Sequence, residues 1–167
     1  MPFELSTTRL WRTLSRDDRL EAARVFWNHP PEAAAVVAAQ EIVKLLRVRP
    51  QAFHKVPLDQ RARAVAGLAA PPELLAESLL LALHVETRRD LLGAFLDALG
   101  IAHEEGMLAE DADFPAPSEA AARAALDALR PRFAADAIRV YWNALWLQDR
   151  ERWGALESAA ADLAAAS

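Results

Sequence analysis

Cysteine is absent from the 167-residue chain, which excludes disulfides, thiolate metal sites and cysteine nucleophiles. Glycine is almost as scarce. The five glycines are not clustered, so there is no glycine-rich loop to cradle a phosphate, and neither Ser15 nor Ser118 has the glycine frame of a nucleophile elbow. Positive charge is not in excess either: 19 Lys and Arg stand against 24 Asp and Glu, a formal net charge of −5. Nucleic-acid affinity rests on a clustered basic surface, so no nucleic-acid partner is expected. No apolar run approaches the ~18–20 residues that span a bilayer, because Glu41, Glu77 and His84 interrupt the longest candidates. The opening Met1–Thr8 has neither a basic n-region nor an apolar h-region, so no signal peptide is expected and the cytoplasm is the expected compartment. The polar helix faces mix Asp and Glu with Arg, which gives anionic lipid little to attract, and no membrane partner is expected.

What is present is a helical, apolar-rich chain. Hydrophobic residues make up 53%, enough for one core, and the length suits a single domain over 1–167. Every strongly patterned segment has helical periodicity, and no stretch alternates with period two. The spacing predicts an all-α fold, a single compact bundle of about seven to eight helices, with a short α-solenoid as the alternative. No fixed repeat of 30 to 50 residues supports the solenoid.

Residues 1–14 precede the first helix start and are expected to be loosely ordered. Ser15 with Asp18 three residues later predicts a first helix, ending near Asn28 before Pro30-Pro31. Pro31 then opens a second helix to about Arg47. Its residues 33–39 are apolar all round, which predicts a place at the centre of the bundle. A single turn is expected around Ala52-Phe53-His54, then helices over Leu58–Leu68 and Glu73–His84. Thr87–Asp90 resembles a capping box opening a helix that Gly100 closes. Residues 101–117 read as an irregular acidic loop. Ser118 caps the next helix, to about Arg130. Pro131 either starts or kinks the following one, which runs to about Leu147. A last helix from about Arg150 places Trp153, Leu156, Ala160 and Leu163 at helical spacing.

One motif occurs twice. Ala22-Ala23-Arg24-Val25-Phe26-Trp27-Asn28 returns as Ala137-Ile138-Arg139-Val140-Tyr141-Trp142-Asn143, each preceded by an acid, Glu21 or Asp136. On a helix, Arg24, Trp27 and Asn28 fall at i, i+3 and i+4 and share a face, as do Arg139, Trp142 and Asn143. Two functional readings follow. The first is a non-enzymatic protein that binds a protein partner or itself, with Trp146, Trp153 and the Arg24 and Arg139 faces as anchors. Trp142 and Trp146, at i and i+4, would form an apolar patch if exposed. The alternative is a small-molecule or metal-binding cleft framed by the two motif helices, with arginine for an anion, tryptophan as a wall and asparagine for orientation. A purely structural use competes with both: the acids pair with the arginines, and the tryptophans are core.

His103, Glu104 and Glu105, followed by Glu110, Asp111 and Asp113, are the most metal-like group. Their spacing matches neither a calcium loop nor a two-histidine zinc helix, so no metal and no cofactor is expected. His29, His54 and His84 read as cap or boundary residues. Lys44, Arg47, Arg49 and Lys55 fall close together, as a basic strip or as a solvated helix end.

Overall fold

The computed structural model describes residues 5–165, with side chains described as far as 159 and at 161. The described residues are all-α. In chain order they form α1 (Thr7–Thr13), α2 (Arg16–Phe26), α3 (Glu32–Leu46), a short 3-10 helix (Pro50–Lys55), α4 (Leu58–Ala66), α5 (Glu73–Thr87), α6 (Arg89–Ala98), α7 (Glu119–Leu129), α8 (Ala135–Gln148) and α9 (Ala155–Ala165). Contacts divide the chain into two compact units, one up to Glu86 and one from Thr87. No helix among the described residues is long and apolar enough to cross a membrane.

In the first unit, α1 corrects the expectation of a loosely ordered segment over 1–14, of which residues 1–4 lie outside the described residues. Ser6 caps it, its Oγ accepting from Arg9 N at 3.2 Å. Leu10 and Trp11 are fully buried, and the Trp11 indole N–H donates to Leu68 O at 3.0 Å. Two further amides of the first turn, which have no partner within the helix, are satisfied from far away. Glu73, the first residue of α5, accepts from Thr7 N at 2.6 Å and from the Thr8 hydroxyl at 2.7 Å. Seven residues are too few to display periodicity, and the other partners are distant in sequence, so the Ser6 cap is a local helix signature with no apolar pattern behind it.

Ser15 caps α2 as its spacing predicts, accepting from Asp18 N at 3.0 Å. α3 begins after Pro31 and ends at Arg47, which takes a left-handed conformation with φ 54°. Its apolar run is not central, which is a second correction. Only Ala34, Ala38 and Ile42 form the buried stripe, while Val36 is 53% exposed. Alanine brings little apolar area to a helix face, so an alanine-rich run carries a weak demand for enclosure. α4 packs on α2 and α3. In α5 the expected stripe of Leu75, Leu79 and Leu83 is fully buried.

The second unit is built round Phe95 on α6. Its ring lies 5.4 Å from Tyr141 and 5.7 Å from each of Trp142 and Trp153, in edge or tilted arrangements that aromatic pairs favour. α6 ends in a Schellman motif: Gly100 has φ 70°, its N–H donates to Asp97 O, and Ile101 N donates to Leu96 O. The expected capping box at Thr87 does not form, because Thr87 is the last residue of α5 and Arg88 takes the N-cap position. Ser118 caps α7, accepting from Ala121 N at 3.2 Å. Pro131 neither starts nor kinks a helix. It lies in a turn in which Arg132 N and Phe133 N both donate to Leu129 O, and α8 begins at Ala135. α9 starts at Ala155, after a turn in which Asp149 accepts from Arg152 N. Leu156 is buried at its predicted spacing, and the predicted roles of the Ala160 and Leu163 side chains lie outside the described residues. Trp153 is buried too, its ring packed against Phe95 and Phe114, which removes it as a surface anchor.

Candidate interaction site

The two copies of the repeated motif fall in different units and in different local structures. In the first, α2 stops at Phe26, so Trp27 is the C-cap and Asn28 lies beyond the helix, exposed. Arg24, Trp27 and Asn28 therefore do not present one helical face. Arg24 pairs with Asp59 at 3.4 Å instead of with Glu21. Pro30 and Pro31 explain the early stop, since neither tolerates a preceding helical turn. In the second copy the whole motif is helical. Arg139 pairs with Asp136 at 3.0 Å, three residues earlier on α8. Trp142 is 0% exposed in the core of the second unit, and burial pushes the Tyr141 phenol well above its ordinary pKa. Asn143 is half-buried. Trp146 is half-buried too, with the Arg150 guanidinium 4.5 Å above its ring.

The surface with the richest chemistry is the edge of the first unit around Trp27. The ring meets Phe26 edge-on at 5.1 Å and Phe53, from the 3-10 helix, at 6.2 Å. Arg61 of α4 lies over this pair, its Cζ 4.4 Å from the Phe53 centroid and 5.7 Å from that of Trp27. Arg61 also donates from Nε to Val56 O at 2.8 Å and from Nη2 to His54 O at 3.1 Å and Phe53 O at 3.3 Å. These carbonyls lie at the end of the 3-10 helix, where Phe53 O also accepts from Val56 N at 2.9 Å, so one planar donor fork closes the element. The indole Nε1 of Trp27 is buried and has no hydrogen-bond partner among the described residues.

In the segment that supplies Phe53 and Arg61 the charge is one-sided. From Lys44 to Arg63 six cations accompany a single carboxylate, Asp59, which Arg24 and Arg63 share at 3.4 and 2.8 Å. Lys44 pairs with Glu41 at 2.7 Å. Arg47, Arg49 and Lys55 are exposed and have no ion pair among the described residues. Two apolar side chains of the same segment are exposed: Leu58 at the start of α4 at 61%, and Leu45 at the end of α3 at 53%. The basic strip is visible in the sequence. The parts played by Phe53 and Arg61 are not, because their spacing of eight residues crosses the Val56-Pro57 break between two elements.

His103, Glu104 and Glu105 build a turn. Glu104 and Met107 exchange both backbone hydrogen bonds at 2.9 Å across Glu105 and Gly106, which have φ 49° and 81°. Gly106 N donates to His103 Nδ1 at 3.0 Å, which leaves the ring proton on Nε2, facing Asp97 Oδ1 at 3.0 Å. Glu105 pairs with Arg89 at 3.3 Å. Among the described residues, no three His, Asp or Glu side chains gather as metal ligands would. In comparisons with protein-family models, curated proteins and solved structures, none matches this chain.

Proposed function

We propose that this protein works by binding another protein chain, and that the binding surface is the aromatic and cationic edge of the first unit. One observation carries the reading. Trp27 and Phe53 form a preorganised aromatic seam under Arg61, rimmed by unpaired cations and by exposed Leu58 and Leu45. Protein interfaces favour this combination: aromatic and arginine anchors held rigid, apolar side chains beside them, and charge at the rim to steer encounter. Holding Arg61 by three backbone carbonyls lowers the ordering cost that a free arginine would meet on binding.

The test is site-specific photo-crosslinking in cells with p-benzoylphenylalanine in place of Leu58. The expected result is a discrete protein adduct that falls at least about tenfold when Arg49→Glu and Lys55→Glu are added, a loss of roughly 1.4 kcal/mol in binding. Absence of any adduct, or an adduct indifferent to charge reversal, overturns the reading.

A further inference from the structure

We infer that the basic strip of the first unit takes up the acidic loop of a second copy of this chain. This deepens the protein-binding reading above and rests on it. Between Ile101 and Pro117 the chain has five carboxylates (Glu104, Glu105, Glu110, Asp111 and Asp113) and no lysine or arginine. All five are exposed. The strip from Lys44 to Arg63 is the reverse, six cations to one carboxylate. Each surface also presents apolar groups among its charges, Met107 at 39% exposure in the loop and Leu58 with Leu45 on the strip. The match is therefore one of charge with exposed apolar groups on both sides, the combination that gives an encounter both direction and hold.

Strip and loop belong to different units, so every copy carries one of each. The contact is heterologous, and assembly proceeds by rings or chains in place of a two-fold dimer that uses one patch twice. The turn at Glu105-Gly106 supports the loop side. Its paired backbone bonds and the His103 contact hold Glu104 and Glu105 on a defined frame, where a disordered acidic tract would have to be ordered on binding.

Sedimentation velocity on the full chain tests this. At ~10 mM salt the screening length is about 30 Å, and at ~1 M it is about 3 Å. The expected result is a mass that rises above 18.3 kDa with protein concentration at low salt and returns to the single-chain value at high salt. Two variants then reverse the surfaces separately: Arg47→Glu with Arg49→Glu and Lys55→Glu, and Glu110→Lys with Asp111→Lys and Asp113→Lys. Each alone sediments as a monomer, and their equimolar mixture assembles again, because the reversed strip meets the reversed loop. Circular dichroism checks that both keep their helix content, and the wild-type salt series stands without them.

A wild type that is monomeric at low salt overturns the inference, as does assembly that persists in either variant. Low-salt binding of a synthetic acidic peptide, or of a homopolymeric RNA, by a monomeric wild type overturns the second copy as occupant. The Leu58 adduct to a different protein then still stands, so the two failures are told apart.

Discussion

The carboxylate of Glu73 accepts the backbone N–H of Thr7 at 2.6 Å and thereby fastens the first turn of α1 to the first turn of α5, 66 positions further along. Desolvation raises the pKa of Glu73, yet the hydrogen bonds from Thr7 and Thr8 outweigh it and hold the carboxyl below its ordinary value. A depressed pKa in the folded state means that this stabilisation is complete above the unfolded value and is lost as pH falls through the folded one. Glu73→Ala is expected to cost about 1–2 kcal/mol at neutral pH, the scale of a lost helix cap. Its deficit relative to wild type should shrink in acid below both values. Urea denaturation at the two pH values measures this, and hydrogen exchange at Leu10 and Trp11 locates it. An unchanged deficit in acid would contradict the linkage.

Gly106 and Gly100 both have positive φ but differ in surroundings. A Cβ on Gly106 would stand 2.7 Å from Arg89 O and 2.8 Å from Leu92 Cβ, whereas one on Gly100 would meet nothing within 4 Å. Gly100→Ala is expected to cost about 1–2 kcal/mol from backbone strain alone. Gly106→Ala adds the overlap with fixed backbone and should cost about 2–5 kcal/mol. Equal losses in chemical denaturation would refute the close approach of the 104–107 turn to α6.

Replacing Arg61 separates charge from geometry. Arg61→Lys keeps the cation but cannot reach three carbonyls and cover two rings at once. Both Arg61→Lys and Arg61→Ala should therefore destabilise the first unit, by about 1–3 kcal/mol. Arg24→Ala breaks only an exposed pair and should cost no more than about 1 kcal/mol. A lysine variant as stable as wild type would show that the fork is dispensable.

The two motif tryptophans should respond unequally. Trp142→Ala opens a cavity beside Phe95 in a closed core and is expected to cost about 3–5 kcal/mol. Trp27→Ala removes a half-buried ring at a helix end and should cost clearly less, while abolishing the Leu58 adduct. Equal destabilisation by the two would restore the motif as a structural repeat.

Much of the architecture is legible in the sequence, and the reasons are local. Ser15, Ser118 and Gly100 act within three or four residues of themselves, so their helix ends can be read directly. The stripe of Leu75, Leu79 and Leu83 carries enough apolar area to dictate its own burial. Where the decisive partner is remote, pattern fails. α1 depends on Glu73 and Leu68, and the seam at Trp27 depends on Arg61. The motif itself misleads for a different reason: identical residues at 24, 27 and 28 and at 139, 142 and 143 meet opposite fates because two prolines follow one copy and an alanine-leucine continuation follows the other. The basic strip and the acidic loop need no geometry to be noticed, only the exposure that makes them available.

The distant cap on α1 also sets an order of events during synthesis. At about 5–20 residues per second, Glu73 is added roughly 3–13 s after Thr7. For most of that interval the nascent chain holds Trp11 without the carbonyl of Leu68 that receives its indole, and until its end α1 lacks the carboxylate that completes its first turn. The residues of α1 are thus made long before the partners that settle them, and a nascent chain carries an uncovered tryptophan until those partners arrive.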